Sequence, residues 1–179
     1  MLKLTIPEQE GFDDKKNEFI TIPEQHLQLE HSLVSLTKWE SKWNKPFLST
    51  DVKTDEETLD YIRCMTLTQN VNPIVFNYLP PEAILAIKEY IEAPMTATTI
   101  HDNSSNKNKE IITSEIIYYW MISLNIPFEC QKWHLNRLLT LIRVCSIKNG
   151  GSKPMSNKEI LNQNRALNAA RRAKYHTKG

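Results

Sequence analysis

LTIPEQE at Leu4–Glu10 and ITIPEQH at Ile20–His26 are nearly the same seven residues, set 16 positions apart. In LKLTIP, which runs into the first copy, Leu2, Leu4 and Ile6 alternate with Lys3 and Thr5. In the second, Ile20 and Ile22 fall in the same phase, and Leu27 and Leu29 of HLQLEH alternate again. A period of two marks half-buried strands. Pro7 and Pro23 end the two strands, because proline cannot donate to a sheet ladder. Two copies are too few for a solenoid, which needs at least three stacked units. The repeat therefore predicts an antiparallel β-meander over about residues 1–31, with the polar EQEGFDDKKNE as a link between its first two strands.

Beyond residue 31 the period lengthens. Leu29, Leu33, Leu36, Glu40 and Trp43 recur at helical spacing, which predicts a helix over Ser32–Trp43 stopped by Pro46. Thr54-Asp-Glu-Glu57 has the pattern of a capping box and opens a second helix. Pro80-Pro81-Glu82 opens a third, with Ile84, Leu85, Ile87, Tyr90 and Ile91 as its apolar face. HDNSSNKNKE at 101–110 reads as a polar loop. EIITSEIIYYWMISLN is apolar almost all round, which predicts a helix at the centre of the core. After Pro127, CQKWHLNRLLTLIRVC forms the second arm of a helical hairpin. KNGGSKP is a break, and a thinly apolar helix follows it. The predicted fold is mainly α (α+β): a small N-terminal antiparallel β-meander (about 1–31), a helical body (about 32–148) completing one globular domain, and a C-terminal helical arm in 149–179.

The 179 residues suffice for one domain with a real core. The longest apolar run, Ile116–Ile122, is too short to span a bilayer, so no membrane partner is expected. The acids of MLKLTIPEQE stand where a secretory signal would be apolar, which points to the cytoplasm. Cys64, Cys130 and Cys145 form no CxxC pair and read as reduced thiols in apolar surroundings. Of four glycines only Gly11 precedes residue 150, so a glycine-rich phosphate loop is absent. From Lys153 to Gly179 seven Lys/Arg face one Glu, a net of +6, which leaves −5 for the rest of a chain whose net is +1. An acidic body carries a basic tail, and such asymmetry suggests an acidic partner or an internal contact.

No stretch carries a catalytic signature. Cys130 and His134 are four apart and could share a helix face, and Glu129 or Cys145 could join them, but a structural zinc needs four ligands and one i,i+4 pair in a leucine-rich helix reads as core and rim. No metal or cofactor is expected. The carboxylates of Asp55–Glu57 suit a helix N-terminus without chemistry. Two groups are left as candidate partner contacts. Trp39 and Trp43 stand among Lys38, Glu40 and Lys42, which predicts a partly exposed aromatic edge of the kind enriched at protein interfaces. Arg165, Arg171, Arg172 and Lys174, with Tyr175, His176 and Lys178, form a basic arm. That arm suits nucleic-acid phosphates, a partner protein, or solvent alone.

The run SEIIYYWMISLNIPFECQKWHLNRLLTLIRVC, preceded by the LTIPEQE opening and by LQLEHSLVSLTKWESKW, resembles small bacteriophage tail-morphogenesis proteins, in particular the tail assembly chaperones of long-tailed phages. The likeness covers most of Leu2–Cys145 as an overall pattern. It implies a non-enzymatic protein of the host-cell cytoplasm, a small β element followed by helices, and binding to the tape-measure protein or another tail protein until the tail tube assembles. The alternatives are a structural tail or connector component of the virion, or a nucleic-acid-binding accessory protein acting through the basic arm. Self-association into a homo-oligomer is left open.

Overall fold

A computed structural model describes residues 1–13, 17–100 and 111–149. The fold is mainly α with a small antiparallel β region at the N-terminus, as expected. The strands are β1 (Leu2–Ile6), β2 (Gln9–Asp13), β3 (Glu18–Ile22) and β4 (Gln25–Leu29). The helices are α1 (Leu33–Trp43), α2 (Asp55–Met65), α3 (Pro81–Glu92), α4 (Ser114–Ser123) and α5 (Leu135–Asn149). Two 3-10 turns, Pro73–Tyr78 and Phe128–Lys132, precede α3 and α5. One compact unit runs Met1–Arg143; a second, Val144–Gly179, is described only over residues 144–149. The predicted 101–110 loop and all of the predicted arm beyond Asn149 lie outside the described residues.

The strands do not form a meander. β1 pairs with β4 and β2 with β3, so the chain makes one long ribbon folded back on itself. The residue numbers of every pair in both ladders add to 31, from Leu2↔Leu29 to Ile6↔Gln25 and from Gln9↔Ile22 to Asp13↔Glu18. The two near-identical copies thus meet head to tail, with Pro7-Glu8 and Pro23-Glu24 at the same rung. Each proline sits between ladders, where its missing N–H costs nothing. At that rung both strands shift phase together. Buried residues are even-numbered at Ile6 and Ile22 but odd-numbered at Gly11, Leu27 and Leu29. A matched interruption on both strands keeps the register while turning the apolar face. This pseudo-two-fold break accounts for the repetition.

β2 lies inside the stretch read as a polar link. Gly11 is the reason it fits: a Cβ there would lie 2.8 Å from Cζ of Tyr78. The Phe12 N–H donates to the Tyr78 hydroxyl (3.1 Å), which in turn donates to the Phe12 carbonyl. Gln9 Nε2 donates to the Tyr78 carbonyl (2.6 Å). The 3-10 turn therefore fastens the inner hairpin to the core. The ribbon contributes Ile6, Ile22, Leu27 and Leu29 to a cluster completed by Trp39, Tyr61, Met65, Val75, Phe76 and Ile87.

Helix starts follow their local chemistry. Ser32 caps α1, and Thr54 caps α2 with Glu57 bonding back to the Thr54 N–H (2.8 Å). Asn44 ends α1 in the left-handed conformation, at φ 52°. α3 starts at Pro81 as predicted, but it turns Ala83, Ile87 and Tyr90 inward and leaves Ile84 and Leu85 exposed. α1 packs against α2, α4 and the turn Phe128–Lys132, and α3 packs along β1.

Candidate functional site

Three side-chain groups bear on function, and α1 carries the first. Trp39 is 1% exposed, and its indole N–H donates to the Glu57 carbonyl (2.8 Å). Its ring stacks on Trp43 (centroids 6.1 Å apart) and takes the edge of Phe47 (5.1 Å). The expected exposed edge therefore does not include Trp39, whose burial between α1 and α2 makes it a core anchor. Trp43 is half-buried and donates its indole N–H to Asp60 Oδ2 (2.9 Å). The surrounding charges are consumed locally, Lys42 on Asp60 and Lys45 on Glu57. Lys45, with the Thr54 N–H, holds the Glu57 carboxyl below its ordinary range. Burial pushes the Asp60 carboxyl up, but bonds from Lys42 and Trp43 and the charges of Lys42 and Arg63 outweigh it, and the net direction is down. Arg165, Arg171, Arg172 and Lys174 lie outside the described residues.

The second group is a buried polar knot that no spacing in the sequence announces. His31 Nδ1 lies 2.6 Å from the Tyr61 hydroxyl, and the His31 and His134 rings are 5.0 Å apart. His134 Nε2 is 2.9 Å from the Tyr90 carbonyl and must donate to it, while His134 Nδ1 accepts the Asn136 N–H (3.3 Å). Those two bonds require the neutral Nε2–H tautomer. Burial, and then the neighbouring His134, lowers the His31 pKa to about 4. Burial also lowers that of His134. The Tyr90 hydroxyl donates to Glu30 Oε1 (2.5 Å), and the terminal ammonium of Met1 sits 3.1 Å from Glu30 Oε2. The Leu135 N–H donates to the His31 carbonyl (2.7 Å). The knot binds the β4–α1 corner to the start of α5.

The third group is α4. It packs on α1 and buries Ser114, Ile117 and Met121. Glu40 of α1 fixes its start: Oε2 accepts the Ser114 N–H (2.8 Å) and Oε1 the Phe47 N–H (2.8 Å). The expectation that this apolar run lies at the centre of the core is wrong. Tyr119 is 67% exposed and Ile122 60%, and Phe128 of the following turn is 52% exposed. Tyr118 joins them, one helical turn from Ile122, with its ring 6.3 Å from that of Phe128 and its hydroxyl on Gln131 (2.8 Å). Apolar side chains thus stay open along α4 and the turn after it, and Glu115 and Glu129 on the same two elements are also exposed. Hydrophobic content alone could not reveal it, because a sequence apolar on all sides does not say which side is covered.

Cys130 is buried, and burial followed by the Glu129 charge raises its thiol pKa. Its i,i+4 neighbour His134 already has both ring nitrogens engaged. Cys64 and Cys145 are half-buried, and all three thiols are free. Among the described residues, no group of three His, Cys, Asp or Glu is placed to hold a metal, and no helix is long and apolar enough to cross a membrane. No protein-family model matches the chain, and no curated protein or solved structure is found to match it.

Proposed function

We propose that this protein is a non-enzymatic tail assembly chaperone that binds the tape-measure protein of a long-tailed phage in the host cytoplasm. In this reading the partner docks on the α4 face. The observation that carries it is the exposure of Tyr119 and Ile122 on α4 and of Phe128 in the turn that follows, with half-buried Tyr118 beside Phe128, while α4 buries Ser114, Ile117 and Met121. A long helical chain kept from aggregating needs a surface that accepts apolar helix faces without a deep pocket. Each large apolar side chain covered there contributes about 1.5–3 kcal/mol before the costs of association. Tyrosine suits such a surface, since it offers wide contact with few rotatable bonds. The carboxylates of Glu115 and Glu129 favour a partner segment with Lys or Arg on its rim.

Co-expression with a tape-measure fragment tests the reading. The wild-type chain should bring the fragment into the soluble fraction as a complex. The double variant Tyr119→Asp/Ile122→Asp should leave it insoluble. A fragment that stays insoluble with the wild-type chain counts against the proposal. So does recovery of this chain from purified virions as a structural component.

A further inference from the structure

We infer that the outer edge of β3 is a pairing surface for a second copy of this chain, independent of the α4 reading. In an antiparallel ladder the N–H and C=O of one residue point the same way, alternately into and out of the pair. Both backbone groups of Phe12 are bonded to the Tyr78 hydroxyl, so they point away from β3. Phe12↔Phe19 is therefore a non-hydrogen-bonded pair, and so, by alternation, is Glu10↔Thr21. It follows that the N–H and C=O groups of Phe19 and Thr21 point outward from the free side of β3. Among the described residues nothing outside the ladder bonds to either residue.

The other edges are treated differently. Tyr78 blocks that of β2. Thr66–Thr68 covers that of β4, through Leu67 N–H to the Gln28 carbonyl (2.7 Å), Gln28 N–H to Thr68 Oγ1 (2.9 Å) and Glu30 N–H to the Met65 carbonyl (2.9 Å). α3 packs along β1. The β3 stretch Phe19–Ile22 has neither Pro nor Lys, the usual guards of an exposed edge, and Phe19 is 80% exposed.

This edge is complementary to itself. About a two-fold axis at Ile20, Phe19 faces Thr21 of the second copy, and four N–H···O=C bonds form between those residues. Glu18 then faces Ile22, so no carboxylate opposes another across the seam. The two hairpins become one four-stranded sheet in which each Phe19, already edge-on to Phe12 at 5.2 Å, is flanked by a new strand. Two five-residue edges bury less than the roughly 1,000 Å2 of a stable interface, so the dimer should be weak and concentration-dependent.

Sedimentation equilibrium across the micromolar to millimolar range tests this on the full chain. Wild type should shift from monomer to dimer. Thr21→Pro removes an N–H that the monomer does not use, and should raise the dissociation constant at least about tenfold with little change in melting temperature. Phe19→Lys, a change of an exposed side chain, should do the same and serves if the proline variant unfolds. A wild type that stays monomeric throughout, or a Phe19→Lys or folded Thr21→Pro variant that dimerises as tightly as wild type, would overturn the inference.

Discussion

Helix α1 is largely polar in sequence, yet it buries Leu33, Ser35, Leu36, Trp39 and Glu40; helix α4 is largely apolar, yet it buries only Ser114, Ile117 and Met121. The difference lies in what surrounds each and in whether polar atoms find partners. α1 is held between α2, α4 and the turn Phe128–Lys132. Its Trp39 N–H, both Glu40 carboxylate oxygens and its Ser35 hydroxyl all have partners inside the body, so burial carries no unmatched polar cost. α4 has α1 on one side, and Tyr119 and Ile122 stay open on the other. Composition measures how much a helix could bury, whereas tertiary neighbours decide how much it does.

The contrast can be broken at several points. Trp39→Ala should show the largest loss, about 3–5 kcal/mol by chemical denaturation, because it empties a site enclosed by Trp43, Phe47 and Glu57. A loss below about 1 kcal/mol would mean that α1 is not the core helix described.

Acid should come next. His31 is neutral in the fold with its pKa near 4, against 6.5 when exposed. A lowered histidine pKa means that the unfolded chain binds more protons, so stability is full above 6.5, declines as pH falls towards 4, and is flat in this term below that. The contribution is about 3 kcal/mol. Denaturation curves across that window should show the slope in wild type and a shallower one in His31→Gln. Equal slopes would remove His31 as the cause.

Glu40→Ala should cost about 2 kcal/mol by leaving the Phe47 and Ser114 N–H groups without acceptors. Smallest of all, Tyr119→Ser should stay within about 0.5 kcal/mol of wild type, since it removes exposed surface only. A loss as large as that for Glu40→Ala would show that Tyr119 is covered in solution.

Local signals were legible where they act locally. The Thr54/Glu57 capping box, Pro81 at a helix start, and the alternation in LKLTI and EFITI each fix structure within a few residues. What stayed hidden depends on distant parts of the chain. β2 is a strand because Tyr78 accepts its backbone over a glycine, and nothing in QEGFD shows that alone. The pairing of β1 with β4 was masked by the likeness of β1 to β3, which suggested neighbours where the ribbon places matched breaks. The His31–His134 contact joins residues far apart in sequence, with no shared motif. Of the candidate site, Trp43 keeps a half-buried surface and Trp39 lies in the core, where its N–H meets Glu57; the open face of α4 is hidden in the sequence because its composition is that of core.

α1 buries its side chains for structure, and α4, in the reading proposed above, keeps apolar side chains open for recognition. Titration calorimetry of a tape-measure fragment into the purified chain tests it most directly, with wild type compared with Ile122→Asp and each variant's melting temperature recorded beside its affinity. The expected result is a loss of affinity of about a hundredfold or more, as for the centre of an interface, at an unchanged melting temperature. An affinity equal to that of the wild type, with the fold intact, would contradict the account and return the exposed face of α4 to ordinary surface.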